Sequence, residues 1–106
     1  MNDSPWQDQV ALVSGAGSDS GIGLAIARRL GQAGVRVLIS ASSTRIEQRV
    51  RELQSEGIDA RGLSADLTDE TQVQALADWA QAQFGRIDIL VNNAGMAMLG
   101  SPEPFA

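Results

Sequence analysis

The sequence predicts an α/β fold: a partial, doubly wound parallel sheet of four strands in the order 3-2-1-4, with helices on both faces. Three observations predict it. Short apolar runs alternate with stretches whose apolar residues recur at helical spacing. The connections are brief, so each strand–helix–strand unit should be a right-handed crossover between parallel strands. Glycines crowd the junction between the first apolar run and the first helix, beside the point where strand order reverses in such sheets.

Val10-Ala11-Leu12-Val13 is an apolar run ended by Ser14-Gly15, which suits a strand buried on both faces. From Gly21 to Ala33 the residues Ile22, Ala25, Ile26, Leu30 and Ala33 keep helical spacing, and Gly34 is the stop signal. Val35 to Ile39 reads as the second strand, interrupted by Arg36. A helix with Ile46, Val50 and Leu53 on one stripe follows and closes at Gly57. A weaker strand lies around Ala60 to Ser64. The third helix, from about Asp69 to Phe84, places Val73, Leu76, Ala77, Ala80 and Phe84 on its inner face. Thr68 is its expected N-cap, with Asp69 and Glu70 in the first turn. Ile87 to Val91 is the last strand, and Asn92-Asn93-Ala94-Gly95 terminates it. Met96 to Ala106 is an irregular tail, and residues 1–106 form a single domain. Trp6 and Trp79 read as packing residues.

Composition narrows the chemistry. With 43% hydrophobic and 20% charged residues the 106-residue chain is an ordinary globular one, and a second core is not expected. A net charge of −5 with no basic stripe argues against nucleic acid. There is no cysteine, histidine or tyrosine, and every basic residue is arginine. Thiol chemistry, disulfides and nearly all zinc designs are thereby removed, and carboxylates are the only common acid–base groups left. The N-terminus is polar and no stretch reaches membrane-spanning length, so a cytoplasmic protein is the default expectation.

Gly15, Gly17, Gly21 and Gly23 carry the functional signal. Gly15 makes a tight turn off the strand, Gly21 lets backbone approach a pyrophosphate, and Gly23 lets helix pack close to sheet. The helix N-terminus then offers unpaired N–H groups to phosphate. The plain alternative is a flexible turn.

The Gly21-Ile22-Gly23 loop, Asp66-Leu67 after the third strand and Ile89-Leu90-Val91-Asn92-Asn93-Ala94-Gly95 together resemble the short-chain dehydrogenases/reductases. The resemblance runs in order from about Trp6 to Gly95. The Asn-Asn-Ala-Gly element is specific, because other Rossmann proteins, methyltransferases included, have glycine loops without it. The resemblance implies a Rossmann-like domain binding NAD(P)(H) through Ser14, Gly15, Gly17, Ser20, Gly21, Ile22 and Gly23. Asp66 would cap the adenine amino group, with Leu67 against the ring. Asn93, Ala94 and Gly95 would line the cofactor near its ribose, and Asn92 would tie the central strands together. Turn-forming or capping roles alone are the alternative for the aspartate and the asparagines.

Two features depart from the family pattern. Three residues usually separate the first glycine from the Gly-Ile-Gly element; here Ala16 to Ser20 intervene, and Asp19 among them repels phosphate. At the end of the second strand, Ser40-Ala41-Ser42-Ser43-Thr44-Arg45 offers hydroxyls and a guanidinium but no acid to hold a ribose diol. Ser40, Ser42 and Arg45 suit a 2′-phosphate, so NADP(H) is favoured over NAD(H).

The family's catalytic serine, tyrosine and lysine lie beyond the fourth strand, so no catalytic residue is assigned here. The chain alone is expected to be inactive, a truncated part of an oxidoreductase moving hydride between NADP(H) and a carbonyl or alcohol substrate. A non-catalytic dinucleotide-binding module and a gene remnant are the alternatives. The fourth strand, apolar on both faces, is expected to be an unpaired edge that leaves the isolated chain marginally stable or self-associating. No metal, nucleic-acid or membrane partner is expected.

Overall fold

A computed structural model describes residues 5–17 and 21–93. Expectations for Asp19, Ser20, Ala94, Gly95 and the tail 96–106 lie outside the described residues. The elements run β1 Val10–Ser14, α1 Ile22–Gln32, β2 Arg36–Ala41, α2 Ile46–Ser55, β3 Ala60–Ser64, α3 Glu70–Phe84 and β4 Ile89–Asn92. The sheet is parallel in the order β3-β2-β1-β4.

Strand alternation splits the core into two layers. Ala11, Val13, Val37 and Ile39 face α1 and α2, packing with Leu24, Ala27, Ile46 and Leu53. Val10, Leu12 and Leu38 face the other way, against Leu76 and Ala80 of α3. Crossover handedness accounts for this division. The first two crossovers step outward from β1 to β2 to β3, so their helices share a face. The third returns across the sheet to β4, and the same hand puts α3 on the opposite face. Each fully buried Leu, Ile or Val stabilises the fold by about 1.5–3 kcal/mol. These side chains concentrate on β1 and β2, where Val10, Val13, Val37, Leu38 and Ile39 are wholly enclosed.

The helices stop where the glycines stand, with φ of 100° at Gly34, 83° at Gly57 and 76° at Gly85. Arg36 does not interrupt β2. It is the first strand residue, pairs with Val10, and stacks its guanidinium 4.5 Å from the Phe84 ring centroid.

Four expectations are corrected. Asp69, not Thr68, caps α3, its side chain accepting from the Thr71 N–H at 2.9 Å. Thr68 turns instead toward Asp66, donating its hydroxyl to Oδ1 at 2.7 Å. Val73 and Ala77 are exposed, because a helix buries only the stripe that meets side chains beneath it and these two join neither core cluster. Trp6 is 45% exposed, held in a turn ahead of β1 outside both clusters, whereas Trp79 does pack against the α3 layer. Arg49 was not foreseen as buried. Its aliphatic stem joins the covered face of α2 while Nη2 pairs with Glu52 at 2.9 Å.

Candidate functional site

The C-terminal ends of the strands carry the site. Ser14 of β1 lies level with Ser40 of β2 and Asn92 of β4. The Ser14 hydroxyl faces two acceptors on β4, the Asn92 Oδ1 at 3.1 Å and the Val91 carbonyl at 3.3 Å. It therefore ties the two strands where their order reverses. Asn93 continues the tie by donating from Nδ2 to the Gly15 carbonyl at 3.1 Å.

Beyond β1 the chain turns sharply at Gly15, whose φ of 73° is a left-handed conformation that disfavours a side chain. The Ala16 N–H then bonds the Ser40 carbonyl at 3.1 Å, which pulls the loop across the end of β2. The crossing is close: a Cβ on Gly17 would come within 2.8 Å of the Ala41 Cβ. At Gly23 a Cβ would lie 2.5 Å from the Gly15 carbonyl oxygen and 3.1 Å from Asn93 Nδ2. Strand end, helix start and the β4 loop thus converge on a point with no room for a methyl group.

The start of α1 is electrostatically open. Gly21 is its N-cap, with no side-chain capping bond and no acid in the first turn. Among the described residues no side chain caps this end, and its N–H groups and partial positive charge suit an anion. Ile22 beside them is 69% exposed.

A cleft of about 420 Å³ opens alongside. Gly15 and Gly17 form one wall, Ser40 to Ser43 with Arg45 a second, and Ala65 to Thr68 a third. Ser42 and Arg45 are exposed; Ser40 is buried, its hydroxyl without a hydrogen-bond partner among the described residues. The Ser43 hydroxyl accepts from the Arg45 N–H at 3.0 Å, fixing the turn into α2. Arg45 makes no ion pair with a carboxylate among the described residues.

Asp66 is the acid of the cleft. Its Oδ1 accepts from the Thr68 hydroxyl at 2.7 Å and the Thr68 N–H at 2.9 Å, and these bonds hold the carboxyl below its ordinary pKa. Oδ2 receives no hydrogen bond among the described residues and is free to accept one from a ligand.

Seven expected residues therefore meet around one cleft: Gly15, Gly17, Ser40, Ser42, Arg45, Asp66 and Leu67. Ser14, Gly23 and Asn93 stand behind it as supports, and Gly21 and Ile22 mark the helix end. Sequence reasoning missed Ser43 and Thr68, whose hydroxyls shape the walls, and Gln72, which reaches back from α3. A hydroxyl two residues from its partner is a local-turn signal that was available. Gln72 left no such signal.

A parallel sheet with a crevice at the reversal point, a glycine-rich helix start and a strand-end carboxylate defines a Rossmann fold of the dinucleotide-binding type. The chain belongs to the short-chain dehydrogenase family, whose model matches residues 9–106. It is 41% identical over 99 residues to human carbonyl reductase [NADPH] 1, covering 91% of this chain and 35% of that protein. It is similar to the crystal structure of the F189W actinorhodin polyketide ketoreductase with NADPH, at a TM-score of 0.77 and 40% identity. That match covers 81% of this chain and 33% of the ketoreductase. It is also similar to a Burkholderia phymatum short-chain dehydrogenase/reductase in complex with NAD, at a TM-score of 0.75 and 31% identity. There the match covers 80% of this chain and 30% of the other. The chain spans about a third of the length of the curated relatives it matches.

Proposed function

We propose that this chain binds NADP(H) across the strand ends, as the cofactor-binding part of a reductase that moves hydride between the nicotinamide and a carbonyl or alcohol substrate. Pyrophosphate would lie at the α1 start near Gly15, Gly17, Ser20, Gly21 and Ile22. Adenine would sit against Leu67 with its amino group donating to Asp66. Asn93, Ala94 and Gly95 would line the nicotinamide side.

The observation that carries the NADP preference is the end of β2. It finishes in Ala41, with Ser42, Ser43 and Arg45 on the cleft wall and, among the described residues, no carboxylate at that strand end. An acid at this point would accept from a ribose diol and repel a 2′-phosphate; hydroxyls and an uncommitted guanidinium do the reverse. The NADPH named for the human carbonyl reductase and the actinorhodin ketoreductase supports this reading, while the NAD-bound neighbour shows that the fold admits both.

The bound nicotinamide supplies the hydride; the proton must come from a side chain suited to neutral pH. These 106 residues hold no tyrosine, lysine or histidine. Assayed alone, the chain should bind NADPH and leave it unoxidised in the presence of a ketone.

Titration with NADPH and NADH, followed by cofactor fluorescence and thermal shift, tests the proposal. NADPH should bind more tightly, and Arg45→Ala should cut that advantage about tenfold while sparing NADH, since a bond to a charged group is at stake. Equal affinities in the unmodified chain would overturn the NADP reading.

A further inference from the structure

We propose that Gln72 is a positioning residue for adenine recognition, holding the Asp66 backbone so that the free carboxylate oxygen faces the cleft. This rests on the proposed reading of Asp66 as the acceptor of the adenine amino group. Gln72 lies in the first turn of α3, six residues beyond Asp66. Its side chain turns back, and Oε1 accepts the Asp66 N–H at 2.7 Å. Its Nε2 donates to Asp69 Oδ2 at 3.4 Å, while Asp69 Oδ1 caps the helix through the Thr71 N–H. The Asp69 N–H in turn bonds the Asp66 carbonyl at 3.1 Å.

The amide orientation is fixed by its two partners. An N–H can only be met by the oxygen, and a carboxylate only by the NH₂. A glutamate at this position would bring a second charge against Asp69, and a shorter side chain would not span the gap. Asp66 is thus clamped at three points: Gln72 takes its N–H, Asp69 its carbonyl, and Thr68 occupies Oδ1. Only Oδ2 remains. The clamp leaves one oxygen of this cleft-lining carboxylate unpaired among the described residues and anchors it to a fifteen-residue helix rather than to a loop.

The test compares NADPH with its hypoxanthine counterpart, in which a carbonyl oxygen replaces the adenine amino group. The unmodified chain should prefer the adenine form about tenfold, because the exchange turns a donor facing Asp66 into a second acceptor. Gln72 is exposed, so Gln72→Met keeps the size and loses the acceptor without disturbing the core. In that variant the adenine preference should fall to about twofold or less, as one hydrogen bond no longer fixes the carboxylate. The NADPH-to-NADH ratio, read at the end of β2, should not change. Amide exchange at Asp66 should quicken. A Gln72→Met chain that keeps the adenine preference, keeps the Asp66 amide protected, or loses both ratios together would overturn the positioning role. If Asp66→Asn abolishes the preference while Gln72→Met retains it, the Asp66 reading stands and only the role of Gln72 falls. No adenine preference in the unmodified chain, or no binding of either nucleotide, would overturn both.

Discussion

The two central residues Leu38 of β2 and Leu90 of β4 have the same side chain, point to the same face of the sheet and occupy parallel strands one either side of β1. Leu38 is fully buried; Leu90 is 68% exposed. The difference is neighbours. β2 has a strand on each side and helices above and below, whereas among the described residues β4 pairs only with β1 and Leu90 joins neither core cluster. The half of the molecule around β2 is a finished core, and the half around β4 is an apolar edge. The proposed site straddles this divide: the cleft for adenosine and 2′-phosphate is built on the finished half, and Asn93 stands on the open one.

The largest expected effect contrasts the two leucines directly. Leu38→Ala should cost about 2–5 kcal/mol of unfolding free energy, the range for emptying a closed core position. Leu90→Ala should cost no more than about 0.5 kcal/mol, as for a surface change. Denaturant unfolding of both variants measures it. Similar losses would mean that β4 is covered in solution, and the edge offers one way to do so, by pairing with a second copy. Sedimentation at rising concentration separates the cases: Leu90→Lys should weaken any self-association that the unmodified chain shows.

This division also marks how far the sequence could be read. Element order, sheet order and the stretch Ala60 to Ser64 were legible because strand and helix periods differ and glycines punctuate them. The glycine loop was legible because turn geometry at Gly15 and close packing at Gly23 each demand a missing side chain. What escaped depended on which surface lay opposite. Val73 and Ala77 have the spacing of a buried stripe, but periodicity cannot say whether the sheet extends beneath them. Thr68 and Asp69 are both good caps, and the choice turned on Asp66 claiming the threonine. Gln72 gave no signal at all, because a side-chain bond to backbone six residues away leaves no periodic trace.

A smaller effect sharpens the comparison on the finished side. Gly23→Ala must displace the backbone at Gly15 or tilt α1, since the added carbon meets a carbonyl oxygen that cannot swing aside. Overpacking of this kind should cost about 1–3 kcal/mol. NADPH affinity should fall with it, as the start of α1 shifts relative to the strand ends. A variant of unchanged stability and affinity would show that the three segments meet less closely than described.

The smallest effect is electrostatic and tests each half with one carboxylate. Asp66, on the cleft, is held below its ordinary pKa of 3.8 by its bonds from Thr68. Asp88, just ahead of β4, is held below the same value first by Arg86 and then by the Val10 N–H. A carboxylate with a lowered folded pKa stabilises the fold fully above its unfolded value, and that contribution is lost as pH falls through the folded one. Both groups are exposed, so solvent screens them and the effect is modest. Asp66→Asn and Asp88→Asn should each lower stability at pH 7 and converge on the unmodified chain only as pH falls below the lowered folded pKa, where its carboxyl is protonated in the folded and unfolded chain alike. A deficit that persists in acid would be steric rather than ionic. The two variants should differ in where they loosen the chain. Asp88 joins the approach to β4 to the first residue of β1, accepting the Val10 N–H on its side chain at 2.8 Å and donating its own N–H to the Val10 carbonyl at 2.8 Å. Its loss should quicken amide exchange in β4 while β2 and β3 stay protected. Faster exchange spread evenly over all four strands would instead show that the open and finished halves unfold as a single unit.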